Sequence, residues 1–288
     1  MMLNELTKNG IFMRLYTHYK MLALNMFTWE GLPYPLESRH IEQTLYENGQ
    51  AIFYDNDIFG KVCLPCSPTG QLNQFGEPVA VIVNSFLIHD TIFINKGIEK
   101  LKNKGVRILN NDLIMPTDFY VRQYALKMTE VELSIDMNVK QQKFPFFVET
   151  DKKNEYSMKQ IFKQKEDGTP YIYANKHLGI GDTTVHTLSV PYVVDKLSEY
   201  KYELEREILT FLGLNNTIEK NERLIVDEVN SNNDFIERNV EIMFKNREFA
   251  CKQINEMFGT NIRVIKNSEV KNPVDDTKGG EEGGEVHS

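Results

Sequence analysis

The sequence predicts an α+β chain, mainly α, and three observations lead there. Residues 117–142 and 191–213 repeat apolar side chains at spacings of three and four, the pattern of long amphipathic helices. Residues 51–94 instead hold short β-branched and aromatic runs broken by Asp, Asn, Gly and Pro, the pattern of strands. Residues 143–190, between the two helices, alternate strand-like and helix-like runs and fit a small α/β lobe.

Composition narrows the class. A chain of 288 residues, 41% hydrophobic and 26% charged, is long enough for one or two cores. No run approaches the ~18 apolar residues of a membrane span, and nothing resembles a signal peptide, so a soluble protein with no membrane partner is expected. Cys63, Cys66 and Cys251 suggest no disulfide framework, which fits a reducing cytoplasm. The net charge of −8 argues against tight duplex binding, which draws on Lys and Arg contacts to phosphate.

The elements follow in order. Phe12, Leu15, Tyr19, Leu22, Met26 and Trp29 recur at helical spacing, predicting a helix over 11–30 that Gly31 and Pro33 stop. Strands are expected at 51–54, 58–64, 79–83 and 86–94. Cys63-Leu-Pro-Cys66 has no second pair, so buried thiols are a better reading than a metal or redox site. Asp55-Asn-Asp57 lacks the later glycine and glutamate of a calcium loop. Thr117, after Pro116, opens a helix with a stripe of Val121, Tyr124, Met128, Val131 and Ile135, ending before Phe144-Pro145. Between the helices, strands are expected at 144–149, 171–175 and 185–190, with a short helix at 157–165. His177 and His186 lie here and read as hydrogen-bonded surface histidines rather than metal ligands.

The stretch 191–213 organises the chain. Pro191 suits a first helical turn, where its missing N–H costs nothing, and Gly213 sits where a left-handed cap belongs. About 22 residues give roughly 33 Å of helix at 1.5 Å per residue. Leu197, Tyr200, Leu204, Ile208 and Phe211 form its apolar stripe. The other faces carry Asp195, Glu199, Glu203, Glu205 and Glu207 against Lys196, Lys201 and Arg206. So narrow a seam needs neighbours, and other copies of the chain are expected to cover it.

Residues 214–238 then read as a polar loop, and Asn230, Ser231, Asn232, Asn233 and Asp234 offer no apolar side chain to bury. Asn239 is a plausible cap for a last helix, whose buried face is Val240, Met243, Phe244, Ala250, Cys251, Ile254, Met257 and Phe258. Arg247 falls within that face, so it should find a carboxylate or a carbonyl there. A strand is expected over 261–266. Residues 267–288, with six acids, two Lys and four Gly, read as a disordered tail.

Several of these pieces resemble one family. The runs PYVVDKL, TFLGL, EKNER, VDEVNSN and KNREFACKQINEMFG resemble the head–tail connector, also called the portal or upper collar, of small short-tailed bacteriophages. FTWEGLP, Asn110-Asn111-Asp112 followed by MPT, and SMKQIF add to the match, and the order is collinear over roughly residues 15 to 265. The resemblance implies a portal fold and a ring of twelve copies around a channel for double-stranded DNA, placed at a capsid vertex of the virion. It implies a wing at 1–116, a first stem helix at 117–142, a clip at 143–190, a second stem helix at 191–213, a channel loop at 214–238 and a C-terminal wing or crown element at 239–266. It implies the major capsid protein, a packaging ATPase and lower collar or tail proteins as partners.

The family's charged positions carry over in part. The lysine after PYVVD is Lys196; of the two lysines in its E-K-K-E-R motif the first is Lys220 and the second is Asn221, followed by Arg223. The lysine expected four residues before Pro191 is Thr187. Lysine rings inside an acidic tunnel are thus thinned. Lys201 and Arg206 are candidates for rings at other heights, with Glu199 and Glu203 on the wall. Only Lys8 and Arg14 precede residue 20, so no basic N-terminal arm is expected.

No catalytic constellation stands out. There is no G-x-x-x-x-G-K-[ST] loop of an ATP-driven motor, no G-x-S-x-G and no H-E-x-x-H. A non-enzymatic portal without cofactor or metal is the expectation. Another ring protein of a virion, such as a tail or adaptor, is the alternative, and a metal-dependent nuclease a distant third.

Overall fold

The computed structural model describes residues 2–94, 104–143, 146–149, 155–156, 159–160, 163, 184–187, 190–214 and 226–267. It divides into two units, Met1–Thr129 with Tyr202–Ser288, and Glu130–Lys201.

The first unit holds a five-stranded antiparallel sheet in the order β5-β4-β3-β2-β6. Its strands are β2 (Gln50–Asn56), β3 (Gly60–Pro68), β4 (Ala80–Val83), β5 (Thr91–Phe93) and β6 (Gly105–Leu109). Side chains alternate across a strand. Ile52 and Tyr54 enter a cluster with Cys66, Val81, Val83, Ile88, Ile92 and Ile94. Ala51 and Phe53 point the other way and are buried too, with Phe53 edge-on to Phe258 at 5.3 Å. β2 is therefore covered on both faces, which is why its sequence reads as one apolar run. The expected strand over 86–94 shortens to Thr91–Phe93, because residues 84–90 turn, with Val83 N–H donating to Asp90 O at 2.8 Å.

Two elements near the N-terminus differ from expectation. Helix α1 (Met2–Leu24) ends earlier, and Phe27–Glu30 form β1, paired antiparallel with β9 (Arg263–Lys266). Trp29 lies opposite Val264 in that ladder rather than on a helix. Phe, Thr and Trp favour a pleated surface, and burial alternates along β1 with period two. Helix α2 (Ser38–Asn48) has no counterpart in the sequence reading. His40 Nδ1 accepts the Glu37 N–H at its start (3.2 Å), Ile41 and Leu45 are buried, and Gly49 ends it at φ 74. A Cβ on Gly49 would come within 2.2 Å of the Ile114 carbonyl oxygen, so only glycine fits.

Helix α3 (Thr117–Lys143) and helix α4 (Val194–Phe211) each contribute to both units. The second unit also contains the β7 (Phe146–Glu149) and β8 (Thr184–Thr187) pair, in antiparallel register with Phe147 opposite His186. Residues 155–156, 159–160 and 163 are helical, within and beside the short helix expected at 157–165. The strand expected at 171–175 and His177 lie outside the described residues.

The last helix, α5 (Val226–Phe258), is 33 residues long. It overturns the loop expected over 214–238 from Val226 onward: Asn230–Asp234 are helical, and Asn239 is interior to the helix rather than its cap. Asn239 Nδ2 instead donates to Thr210 O at 3.2 Å. The physical reason is visible in the sequence. Val226, Val229, Ile236, Val240 and Met243 stand three, seven, four and three apart, one helical face, and the Asn-rich tract between them contains no Gly or Pro to break it. Residues 215–225 and the tail from 268 lie outside the described residues.

Candidate functional site

Helix α4 is built by cues at both ends. It starts three residues later than expected from Pro191. The Asn138 side chain of α3 takes over the entry, donating to Pro191 O at 3.0 Å and accepting from Val193 N–H at 3.3 Å, while Gln142 donates to Val190 O at 2.8 Å. Val193 O then accepts the first helical bond, from Leu197 N–H at 3.1 Å. At the far end Gly213 takes φ 67, with Gly213 N–H to Thr210 O at 3.1 Å and Leu214 N–H to Leu209 O at 2.9 Å. That pair of bonds is the Schellman cap, which satisfies carbonyls the helix leaves over.

The stripe on α4 does not behave as one seam. Leu204 and Ile208 are 2% and 0% exposed within a single chain, and Phe211 packs against Tyr120 of α3 at 4.5 Å between ring centroids. Leu197 is half-buried and Tyr200 exposed. The expectation that other copies cover Leu204 and Ile208 is therefore corrected: the chain's own packing already removes them from water. Lys201, expected as a channel cation, is paired within the chain. Its Nζ lies 2.7 Å from Glu132 Oε1 on α3. Five residues beyond Lys196, it turns about 140° away around the helix.

Lys196, Glu199, Glu203 and Arg206 are exposed. At about 100° per residue these four fall within about 80° of one another on α4. Asp195 and Glu207 flank them, so this face presents four acids and two bases. Lys220 and Arg223 lie outside the described residues.

A second arrangement surrounds Arg247 on α5. Its Nε and Nη2 donate to the two oxygens of Glu42 on α2 at 2.9 and 2.8 Å. Nη2 also reaches Asn110 Oδ1 at 3.0 Å, and Nη1 reaches Asn110 O at 3.3 Å and Met243 O at 3.0 Å. All five guanidinium N–H groups are thus engaged. Trp29 Nε1 donates to Glu42 Oε1 at 2.7 Å, and the Phe27 ring lies 4.3 Å from the guanidinium carbon. Both charged side chains are 3% exposed. Burial of such a pair is tolerable only with this completeness of bonding.

The knot extends through neighbours. Asn246 donates to Asp112 at 2.8 Å. Asn110 Nδ2 donates to Met115 O at 2.9 Å and Thr117 Oγ1 at 3.0 Å, and Asn111 Oδ1 accepts from Leu113 and Met115 N–H at 3.1 and 3.0 Å. FTWE, Asn110-Asn111-Asp112, MPT and KNRE, scattered along the chain, therefore meet in one place. Arg247 was expected to find a carboxylate or a carbonyl and finds both. Glu42 was not foreseen, since an acid in a short amphipathic helix gives no sign of being buried.

The remaining candidates read as structure. Cys63 and Cys66 are buried in β3; burial pushes both thiols up, Cys66 to about 12. Asn56 Oδ1 accepts the N–H groups of Ile58 and Phe59 at 3.0 Å each, so Asp55-Asn-Asp57 makes a side-chain-closed turn. Among the described residues no three His, Cys, Asp or Glu side chains converge as metal ligands would. Among the described residues no helix is long and apolar enough to cross a membrane.

The comparisons define the class. The family model for the phage connector (GP10) matches residues 2–271. The chain belongs to the phage connector family: it is a structural portal protein of the virion, placed at the capsid vertex. Solved structures match at low identity. The portal and tail of native bacteriophage P68 matches at 17% identity over 89% of this chain and 85% of that one, with a TM-score of 0.47. An HK97-family phage portal protein from Corynebacterium diphtheriae matches at 9% identity over 88% and 91%, with a TM-score of 0.44. The virion of a native gene transfer agent matches at 12% identity over 88% and 79%, with a TM-score of 0.42.

Proposed function

We propose that the chain acts without enzymatic activity of its own, as a ring of twelve copies through which double-stranded DNA is packaged and ejected. The exposed charged face of α4 lines the bore in this reading. The observation that carries it is the division of α4: Leu204 and Ile208 are buried, whereas Lys196, Glu199, Glu203 and Arg206 are left at the surface. Repeated around a ring, an acid-rich wall with sparse cations repels the polyanion and keeps it centred. Few counterions are released by contact, so DNA slides. Lys196 and Arg206 supply brief phosphate contacts that carry no base information.

In this reading Lys220, Arg223 and the polar tract Asn230–Asp234 face the DNA from the segment after α4, the tract from a helix rather than a loop. The major capsid protein, a packaging ATPase and lower collar or tail proteins are the proposed partners. Residues 143–190 form the end that meets motor or tail. A negative-stain image of the purified protein tests the reading. Closed rings with an open bore wide enough for a duplex are expected; particles without a through-bore would contradict it.

A further inference from the structure

With Leu204 and Ile208 buried inside one chain, those two side chains are not free to join copies, and other surfaces come into question. Two surfaces of the first unit fit each other. One is the start of α1. From residue 6 on, its first buried residue is Leu15, and residues 6–10 are all exposed, with Leu6 and Met13 at 64% and 54% on the side away from Leu15 and Tyr19. A Cβ on Gly10, between them, would meet nothing within 4 Å. Helical stretches shorter than ~12 residues are marginal in water without packing, so this half of α1 calls for a neighbour. Helix α1 carries Lys8, Arg14 and Lys20 against Glu5, with Lys20 paired to Glu47 at 2.9 Å, and so keeps a net positive charge.

The other surface is a pair of turns at one end of the sheet. Asn56 closes the β2–β3 turn, and its Nδ2 donates to Asp90 Oδ2 at 3.0 Å, where Tyr54 OH also donates at 2.8 Å. This ties the β2–β3 turn to the β4–β5 turn. Their tips hold Ile58, Phe59, Phe86 and Leu87, with Phe86 96% and Leu87 71% exposed. Asp55, Asp57 and Asp90 stand beside them against Lys61 alone. Bonding within the turns fixes these apolar tips, so their exposure is not the result of a slack loop.

We propose that the start of α1 in one copy docks on the paired turns of the next. Leu6 and Met13 meet Ile58, Phe59, Phe86 and Leu87, and the cationic helix complements the acidic turns. Because two different surfaces meet, the contact is heterologous. Repeated with closure, such a contact generates a ring, whereas a self-complementary patch stops at a dimer. Aromatic anchors at the centre of a contact carry most of its strength. The proposal rests on the ring reading above.

The test uses two full-length variants, one with Leu6→Glu and Met13→Glu, the other with Phe86→Asp and Leu87→Asp, and reads mass by light scattering. Wild type is expected at ring mass and each variant alone at monomer mass. An equal mixture should give a dimer of one of each and nothing larger, since one intact helix and one intact pair of turns remain. A wild-type ring with either variant also at ring mass overturns this contact and leaves the ring standing. Wild type at monomer mass overturns both. A Phe86→Asp, Leu87→Asp ring that forms fully but fails to enter virions assigns the turns to another virion protein, and overturns it too. Should either variant misfold, as its melting curve would show, Met13→Cys with Phe86→Cys in one chain gives an independent reading, the native cysteines being buried. A short bis-maleimide should then produce a ladder of covalent multimers only when both are present. Assembled rings without a ladder contradict the contact.

Discussion

Arg247 and the exposed face of α4 both depend on charge, but around Arg247 the charges are enclosed and mutually satisfied, whereas on α4 they face solvent. If the proposed bore-lining role of α4 holds, the difference separates what identifies the family from what performs its task. FTWE, the Asn110-Asn111-Asp112 loop and KNRE are recognisable because their residues close one buried knot, where few substitutions keep every donor paired. A wall for a sliding polyanion needs only sign and exposure. Glutamates and lysines on such a surface can be exchanged or thinned without disturbing the core.

The largest expected effect lies in the knot. Arg247→Ala leaves Glu42 buried without its partner and should destabilise the fold by about 3–5 kcal/mol, read as a shift of the urea midpoint. Removing both charges together, as Glu42→Gln with Arg247→Met, should cost less than the single change. If Arg247→Ala unfolds at the wild-type midpoint, the knot is not what holds α2, β6 and α5 together. Next comes the buried part of α4. Ile208→Ala should cost about 2–5 kcal/mol in an isolated chain. An effect seen only in the assembled ring would restore Ile208 to a seam between copies.

Smaller effects follow toward the surface. Lys201→Ala removes the ion pair with Glu132, whose side chains are 33% and 15% exposed. Partial exposure limits the loss to about 1 kcal/mol. A measured loss several times larger would make the pair part of the core. The Glu241 carboxyl accepts from Lys266 at 2.7 Å, and this hydrogen bond holds its pKa below the usual carboxylate value. A depressed folded pKa contributes stability that is present above the unfolded value and lost as pH falls through the folded one. Lys266→Ala should therefore lower stability slightly at neutral pH and flatten its fall on the acid side, the two profiles converging at low pH. An unaltered acid limb would remove this pair from the account.

What could be read from the sequence depended on how local the determining signals were. Helix α3 and the Gly213 end of α4 are specified by neighbours in the chain, so spacing and caps suffice. Trp29 satisfied a helical period by coincidence, and only pairing with Val264 decides for a strand. α2 is short, and its start relies on Glu37 and His40 rather than a common capping residue. In α5 the Asn-rich tract masked an apolar period that runs through it. The bond between Glu42 and Arg247 spans 205 positions, which no local pattern reports. On α4 the residue types were legible, but burial of Leu204 and pairing of Lys201 with Glu132 depend on α3, and these decide which charges remain on the surface.

The smallest effect on stability and the largest on function should coincide in one variant, Glu199→Lys with Glu203→Lys. Both positions are exposed, so the urea midpoint should stay within about 0.5 kcal/mol of wild type. The decisive measurement is DNA retained in filled particles after packaging stops, followed from low to high salt. The account predicts that retention rises in the variant at low salt and falls more steeply with added salt than in wild type, because each new lysine releases counterions on contact with phosphate. Retention and salt dependence identical to wild type, in a particle that assembles normally, would contradict the claim that this face of α4 lines the bore.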